Sequence, residues 1–197
     1  MKTIATALAV IAVTASSAHA ASGDWRQDAR QADVTRLRGL DGAWAAALAE
    51  AQRGDARGLR GLGVLADPKA GLTRPQPGPG DYRCRTVKLG SGEGASGLPL
   101  VAYGWFKCRV ALSPGGDLTL VKTTGSQRPM GNLYPDTARR LVYLGAVALA
   151  EERSAVYGHA PERDQIGVFE RIGANRWRLV LPYPKFESTL DLVELTR

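Results

Sequence analysis

Lys88, Lys122, Ser126 and Arg128 are the residues of this chain whose types and spacing suit an anion. Strand parity brings the two lysines to one face. Cys84, Thr86 and Lys88 alternate with Arg83, Arg85 and Val87, and Phe106, Cys108, Val110 and Leu112 alternate with Lys107, Arg109 and Ala111. Residues two apart on a strand share a face. If the cysteines face inward with Phe106, Val110 and Leu112, Lys88 does so too. On the return strand Leu118 and Leu120 face inward and Lys122 follows on their side, with Ser126, Gln127 and Arg128 next in a turn. Two outcomes are open. Either the strands end or bulge first and the lysines snorkel to solvent, a common habit at strand ends, or the ammonium groups stay inside. An unpaired buried ammonium is costly, so they would then meet an acid, water or an anionic ligand. Arg128 would supply a bidentate fork for carboxylate or phosphate, and the lysines point charge. Glu187 and Asp191 are the acids nearest to take that place instead.

Other chemistries have thinner support. Lys122 lies four residues before Ser126, a spacing open to a Ser-Lys nucleophile and base, but the spacing is common and no G-x-S-x-G elbow exists. His159, in YGHAPERD, has Asp164 nearby and reads most simply as a solvated loop histidine. Glu151-Glu152 and Glu187 with Asp191 are carboxylate pairs of the kind glycosidases use, without an aromatic platform around either. No metal or cofactor is expected: there is no C-x-x-C, and few His or Cys residues to complete a zinc site. Arg83, Arg85, Lys107 and Arg109 form a basic stripe on the opposite strand face, read as solvated or as a weak attractor of anions.

The elements that must position these residues follow from hydrophobic period. Residues 1–20 read as a secretory leader: Met1-Lys2, an apolar run from Ile4 to Ala15, and Ala18-His19-Ala20 as cleavage site. The run is too short to span a membrane, so a soluble mature chain in the periplasm or outside the cell is expected, with no transmembrane anchor. Cys84 and Cys108 should then pair. Residues 21–72 are helical: Val34, Leu37, Leu40, Trp44, Ala47, Leu48 and Ala51 make one stripe. Asp33 is a candidate N-cap, Gly39 and Gly42 are candidate bends, and shorter helices are expected around Trp25–Gln31 and Ala56–Leu65. Residues 73–81, TRPQPGPGD, read as a Pro/Gly linker.

Residues 82–197 turn to period two. SPGGD joins a clear hairpin, GAN a second, and further strands read around 98–103, 140–147, 165–171, 176–182 and 190–195. Trp177, Leu179 and Leu181 should point inward, Arg176 and Arg178 outward. Residues 141–152 fit a strand or a helix. The fold class is α+β: N-terminal helices packed on an antiparallel barrel-like or sandwich sheet of seven to eight strands.

Across nearly the whole mature chain, DWRQDARQADVTRLR, GDYRCRTVKLG, YGWFKCRV, GSQRPMGNLYPD, RRLVYLG and RWRLVLPYPKFESTLDLVEL resemble an uncharacterised family of secreted alphaproteobacterial proteins, a domain of unknown function (DUF 4893). The resemblance implies an envelope location in a Gram-negative bacterium and no particular activity. A looser likeness to lipocalins and periplasmic hydrolase inhibitors rests on strand count, the cysteines and Gly104-Trp105, and is one of architecture.

The net charge is +7, spread along the chain rather than blocked. That disfavours nucleic acid and suits anionic partners. The expected function is a non-catalytic envelope binding protein, for an anionic lipid, a glycan fragment or another small anion. The alternatives are a hydrolase-type envelope enzyme using Ser126, Lys122 or His159, and a hydrolase inhibitor presenting the 90–97 loop.

Overall fold

A computed structural model describes residues 23–92 and 97–197. The expected leader and the middle of the 90–97 loop lie outside the described residues. The helices are α1 (Trp25–Asp28), α2 (Gln31–Arg38), α3 (Leu40–Gly54) and α4 (Ala56–Leu62), followed by a 3-10 turn, Gly63–Ala66. The strands are β1 (Gly80–Ser91), β2 (Leu100–Ala102), β3 (Phe106–Leu112), β4 (Leu118–Lys122), β5 (Gln127–Pro135), β6 (Arg140–Leu149), β7 (Asp164–Gly173), β8 (Arg176–Pro182) and β9 (Ser188–Thr196).

Every ladder is antiparallel, and β9 pairs back onto β1 from Arg83↔Thr196 to Ser91↔Ser188. Strands β1 and β3 to β9 therefore close an eight-stranded barrel, and β2 is an extra strand on the edge of β1. Closure removes the unpaired edges that an open sheet would leave. The barrel is filled rather than hollow. Leu120, Leu133, Tyr143, Phe169, Leu179 and Val193 are all buried in its interior cluster, and Trp177 meets Tyr82 edge-on at 5.7 Å between centroids.

Strand β5 is the element that sequence pattern does not reveal. QRPMGNLYP carries two prolines, a glycine and an asparagine, all poor strand formers. It is a strand because both neighbours dictate it. The β6 ladder runs its full length, from Gln127↔Leu149 to Pro135↔Leu141. The β4 ladder stops at Val121↔Met130, one residue short of Pro129. Gly131 and Gly145 face each other across the β5–β6 ladder because the Tyr143 ring lies over both, and a side chain on either would strike it. Residues 141–149 are strand, ended at Ala150 by a left-handed residue with φ 47°.

The helices cover the outside of one wall. Ala43, Trp44, Ala47 and Ala51 of α3 pack on Val87, Leu89, Val180, Leu190 and Leu192. Under the helices these strands are buried on both faces, near the end of β1 and through most of β8 and β9, so residues of both parities are apolar there. The expected single helix across 34–51 is two, divided at Gly39, where the Tyr183 ring would lie 3.0 Å from a Cβ. Asp33 does not cap. It sits buried in the first turn of α2, accepting from Tyr157 Oη and from Arg36, each at 2.5 Å. Asp55 caps α4 through the Gly58 N–H at 2.8 Å.

Alternation in β8 is as expected, but Arg178 does not reach solvent. It leaves the barrel on the helix-covered side and is fully buried. There it pairs with Glu170 at 2.7 Å and donates to the Leu65 and Asp67 carbonyls. In the Pro/Gly segment, Pro75 and Pro77 are buried, Leu72 bridges to Arg171, and Gly80 and Asp81 already belong to β1.

Candidate functional site

The site lies where the barrel wall parts. Strand β3 pairs with β1 only as far as Cys84↔Phe106. Beyond that point β1 runs on, with β2 alone on that edge from Val87↔Ala102 to Leu89↔Leu100. Thr86 and Lys88 continue the inward parity of Cys84 into this gap. Opposite them, Lys122 closes β4 beside Cys108 in register. The Cys84–Cys108 disulfide, with Cα atoms 5.8 Å apart, joins the two strands at the base of the gap. The result is a cavity of about 240 Å³ at one end of the barrel.

Both lysines stay inside: Lys88 is 6% exposed and Lys122 5%. The strands do not end before them. Their ammonium groups meet at one residue, because Lys88 Nζ donates to Gln127 Oε1 at 3.3 Å and Lys122 Nζ to the Gln127 carbonyl at 2.8 Å. Their electrostatics differ. Lys88 pairs with Glu187 at 2.8 Å and faces Asp191 at 4.0 Å. Burial pulls its pKa down, but these two acids outweigh burial and hold it above the ordinary value. Asp191 is deep in the wall, and burial pushes its carboxyl up to about 6, against the pull of Lys88 and the Ser188 hydroxyl. At 4.0 Å the attraction to Lys88 is too weak to offset that burial. Glu187, largely in solvent, is the closer partner of Lys88.

Lys122 has no carboxylate within ion-pair distance among the described residues. Its ammonium rests 4.0 Å from the centroid of the Phe106 ring. Burial first, then the charges of Arg128 and Lys88, push it down to about 8. Gly125, at φ 92°, makes the turn beneath it possible, since a Cβ there would press on both Phe106 and Lys122 Nζ.

Of the expected anion-site residues, Lys88, Lys122 and Ser126 line the cavity and Arg128 does not. Strand β5 begins at Gln127, so Gln127 points inward and Arg128 outward, where it donates to the Gly125 carbonyl at 2.8 Å and to the carbonyls of Ala150 and Glu152. It fastens the turn after β6. Thr86, Tyr103, Phe106, Gln127 and the carboxylate of Glu187 complete the lining. Phe106 shares the inward parity of the cysteines. Gln127 could have been found only by recognising β5.

The catalytic alternatives find little geometry. Lys122 donates to the Gln127 carbonyl rather than to Ser126. His159 is exposed, and Asp164 is engaged by Gly158 N–H and Arg30 instead. Glu152 is taken by Arg163 and the Leu149 N–H. No group of His, Cys, Asp and Glu among the described residues could hold a metal. On the outer stripe, Arg85 pairs with Glu194 and Arg109 with Asp81, and Arg83 and Arg85 lie 4.8 and 5.1 Å from the Trp105 ring centroid.

Fold and site together define a helix-clad, closed eight-stranded antiparallel barrel with a polar pocket at one end. The chain belongs to the family described as a domain of unknown function (DUF4893), whose model matches residues 25–195. No curated protein and no solved structure matches it. No helix among the described residues is long and apolar enough to cross a membrane.

Proposed function

We propose that the protein is a non-catalytic envelope binding protein whose pocket takes the carboxylate or phosphate group of a small ligand. The observation that carries this is Lys122, a buried cation that no acid among the described residues matches. A buried charge calls for a partner, and the cavity beside Lys122 is where one would sit. Lys88, Ser126 and Gln127 add donors to the same space. The volume restricts the ligand. About 240 Å³ is below the usual range for drug-sized ligands, and the barrel interior beneath is packed with side chains. An acyl chain has no room there, so a lipid would be held by its headgroup alone. The leader-like residues 1–20 and the disulfide support an oxidising compartment outside the cytoplasm.

Native mass spectrometry of the protein purified from its source tests this. A small acid retained by the wild type and lost from Lys122→Met is the expected result. Identical spectra for the two proteins, both without adduct, would count against it.

A further inference from the structure

We propose that Lys122 is a nucleophilic amine that forms a reversible imine with a small 2-oxo carboxylate held in this pocket by Lys88. The proposal rests on the anion-pocket reading above and names its ligand class. The two lysines line one cavity but are equipped for different tasks. Lys88 is a fixed cation, held by Glu187 and Asp191. Among the described residues Lys122 is tied to no acid, and the hydrogen bond it makes there goes to a neutral carbonyl. A 2-oxo carboxylate carries the complementary pair: a carboxylate for the fixed cation, and beside it an electrophilic carbonyl carbon for the free amine. A lysine is activated as a nucleophile by desolvation or by a neighbouring cation, and Lys122 has both. Burial, Arg128 and Lys88 push it down to about 8, so a useful fraction is neutral near neutral pH.

The step balances without an oxidant or reductant. The Lys122 lone pair attacks the carbonyl carbon and an N–C bond forms. A proton passes from nitrogen to the former carbonyl oxygen through water at the open mouth, where Glu187 is mostly exposed. The C–O bond then breaks, the oxygen leaves as water with the second N–H proton, and a C=N bond remains. Protonation of that nitrogen from solvent gives an iminium, whose charge the Phe106 ring can still face as it faces the ammonium at 4.0 Å.

Incubation of the folded protein with pyruvate and cyanoborohydride, followed by peptide mapping, tests this. The hydride reduces any imine to a stable secondary amine. At a pH near 7.5 the neutral fraction of an amine titrating near 8 exceeds that of an ordinary lysine on the order of 100-fold, and lower basicity takes back part of that advantage. Lys122 should therefore be labelled roughly tenfold faster than the exposed Lys69 and Lys185 of the same molecule. Lys88→Met should abolish the preference for pyruvate over uncharged acetaldehyde and, because the Lys88 charge helps to lower Lys122, should also slow the labelling of Lys122 by both. Equal labelling of Lys122, Lys69 and Lys185 overturns the proposal. A parallel calorimetric titration with acetate, which has no carbonyl to attack, separates the two readings. Acetate binding with no selective labelling leaves the anion pocket standing and removes the imine. Neither binding nor labelling removes both.

Discussion

Replacing Lys122 by Met keeps the length of the stem and deletes the charge, so it isolates what that charge does to stability. In the folded chain the amine is pushed from 10.5 down to about 8. The unfolded chain therefore holds more protons than the native one between those values, and wild-type stability rises with pH across that window. Below about 8 the buried ammonium costs stability; above 10.5 both states are neutral and the cost is gone. At about 1.4 kcal/mol per pH unit the full shift corresponds to roughly 3 kcal/mol. Water reaching the amine through the cavity screens this, so we take about 1–2 kcal/mol. Removing the ammonium also removes its hydrogen bond to the Gln127 carbonyl and its attraction to the Phe106 ring. That moves the comparison at low pH in the other direction, by roughly 1 kcal/mol. The slope is thus the decisive quantity. Urea denaturation of both proteins across this range should show Lys122→Met gaining about 1–2 kcal/mol on the wild type at neutral pH relative to pH 10.5. A flat difference, or a wild type that is relatively better at neutral pH, would mean the charge is already compensated and would refute the reasoning.

Three further outcomes follow from the same structure. Asp191, raised to about 6 from 3.8, binds its proton more tightly when folded, so the stability it contributes is lost as pH rises through that window. Asp191→Asn should gain about 3 kcal/mol on the wild type from pH 3.8 to above 6 by denaturant titration, and no change across that window contradicts it. Arg178→Ala strands Glu170 and two carbonyls beneath the helices and should cost about 3–5 kcal/mol, whereas a loss below about 1 kcal/mol would place Arg178 at the surface. Replacing Cys84 and Cys108 together by Ala removes a link with a sequence separation of 24, and should cost about 3 kcal/mol of unfolding free energy.

Much of this molecule was legible because parity in a strand is local and rigid. The bounds of β3 and β8 are those the alternation indicates, and the same rule puts Lys88 and Lys122 on the cysteine face, but the habit of strand-end lysines favours an escape to solvent that their burial overturns. What stayed hidden depended on contacts between distant segments. Strand β5 has no strand-like composition, and only its pairing with β6 makes it one; missing it turned Arg128 to the wrong face and concealed Gln127. The burial of Arg178 could not be read because alternation distinguishes inside from outside the barrel, not solvent from an overlying helix. The break at Gly39 was visible as a weak point, but Tyr183, which crowds it, is far away in sequence. The gap between β1 and β3 that makes the cavity is a matter of strand lengths and register, which periodicity alone does not give.

The most direct test of the central claim is the titration of Lys122 itself, followed by NMR of its side-chain nitrogen in the native protein, with and without inorganic phosphate or acetate. The midpoint should lie near 8 in the free protein and move upward when either anion is present, because an anion beside the amine favours its charged form. A midpoint at the ordinary lysine value of 10.5, or one that neither anion moves, would contradict it.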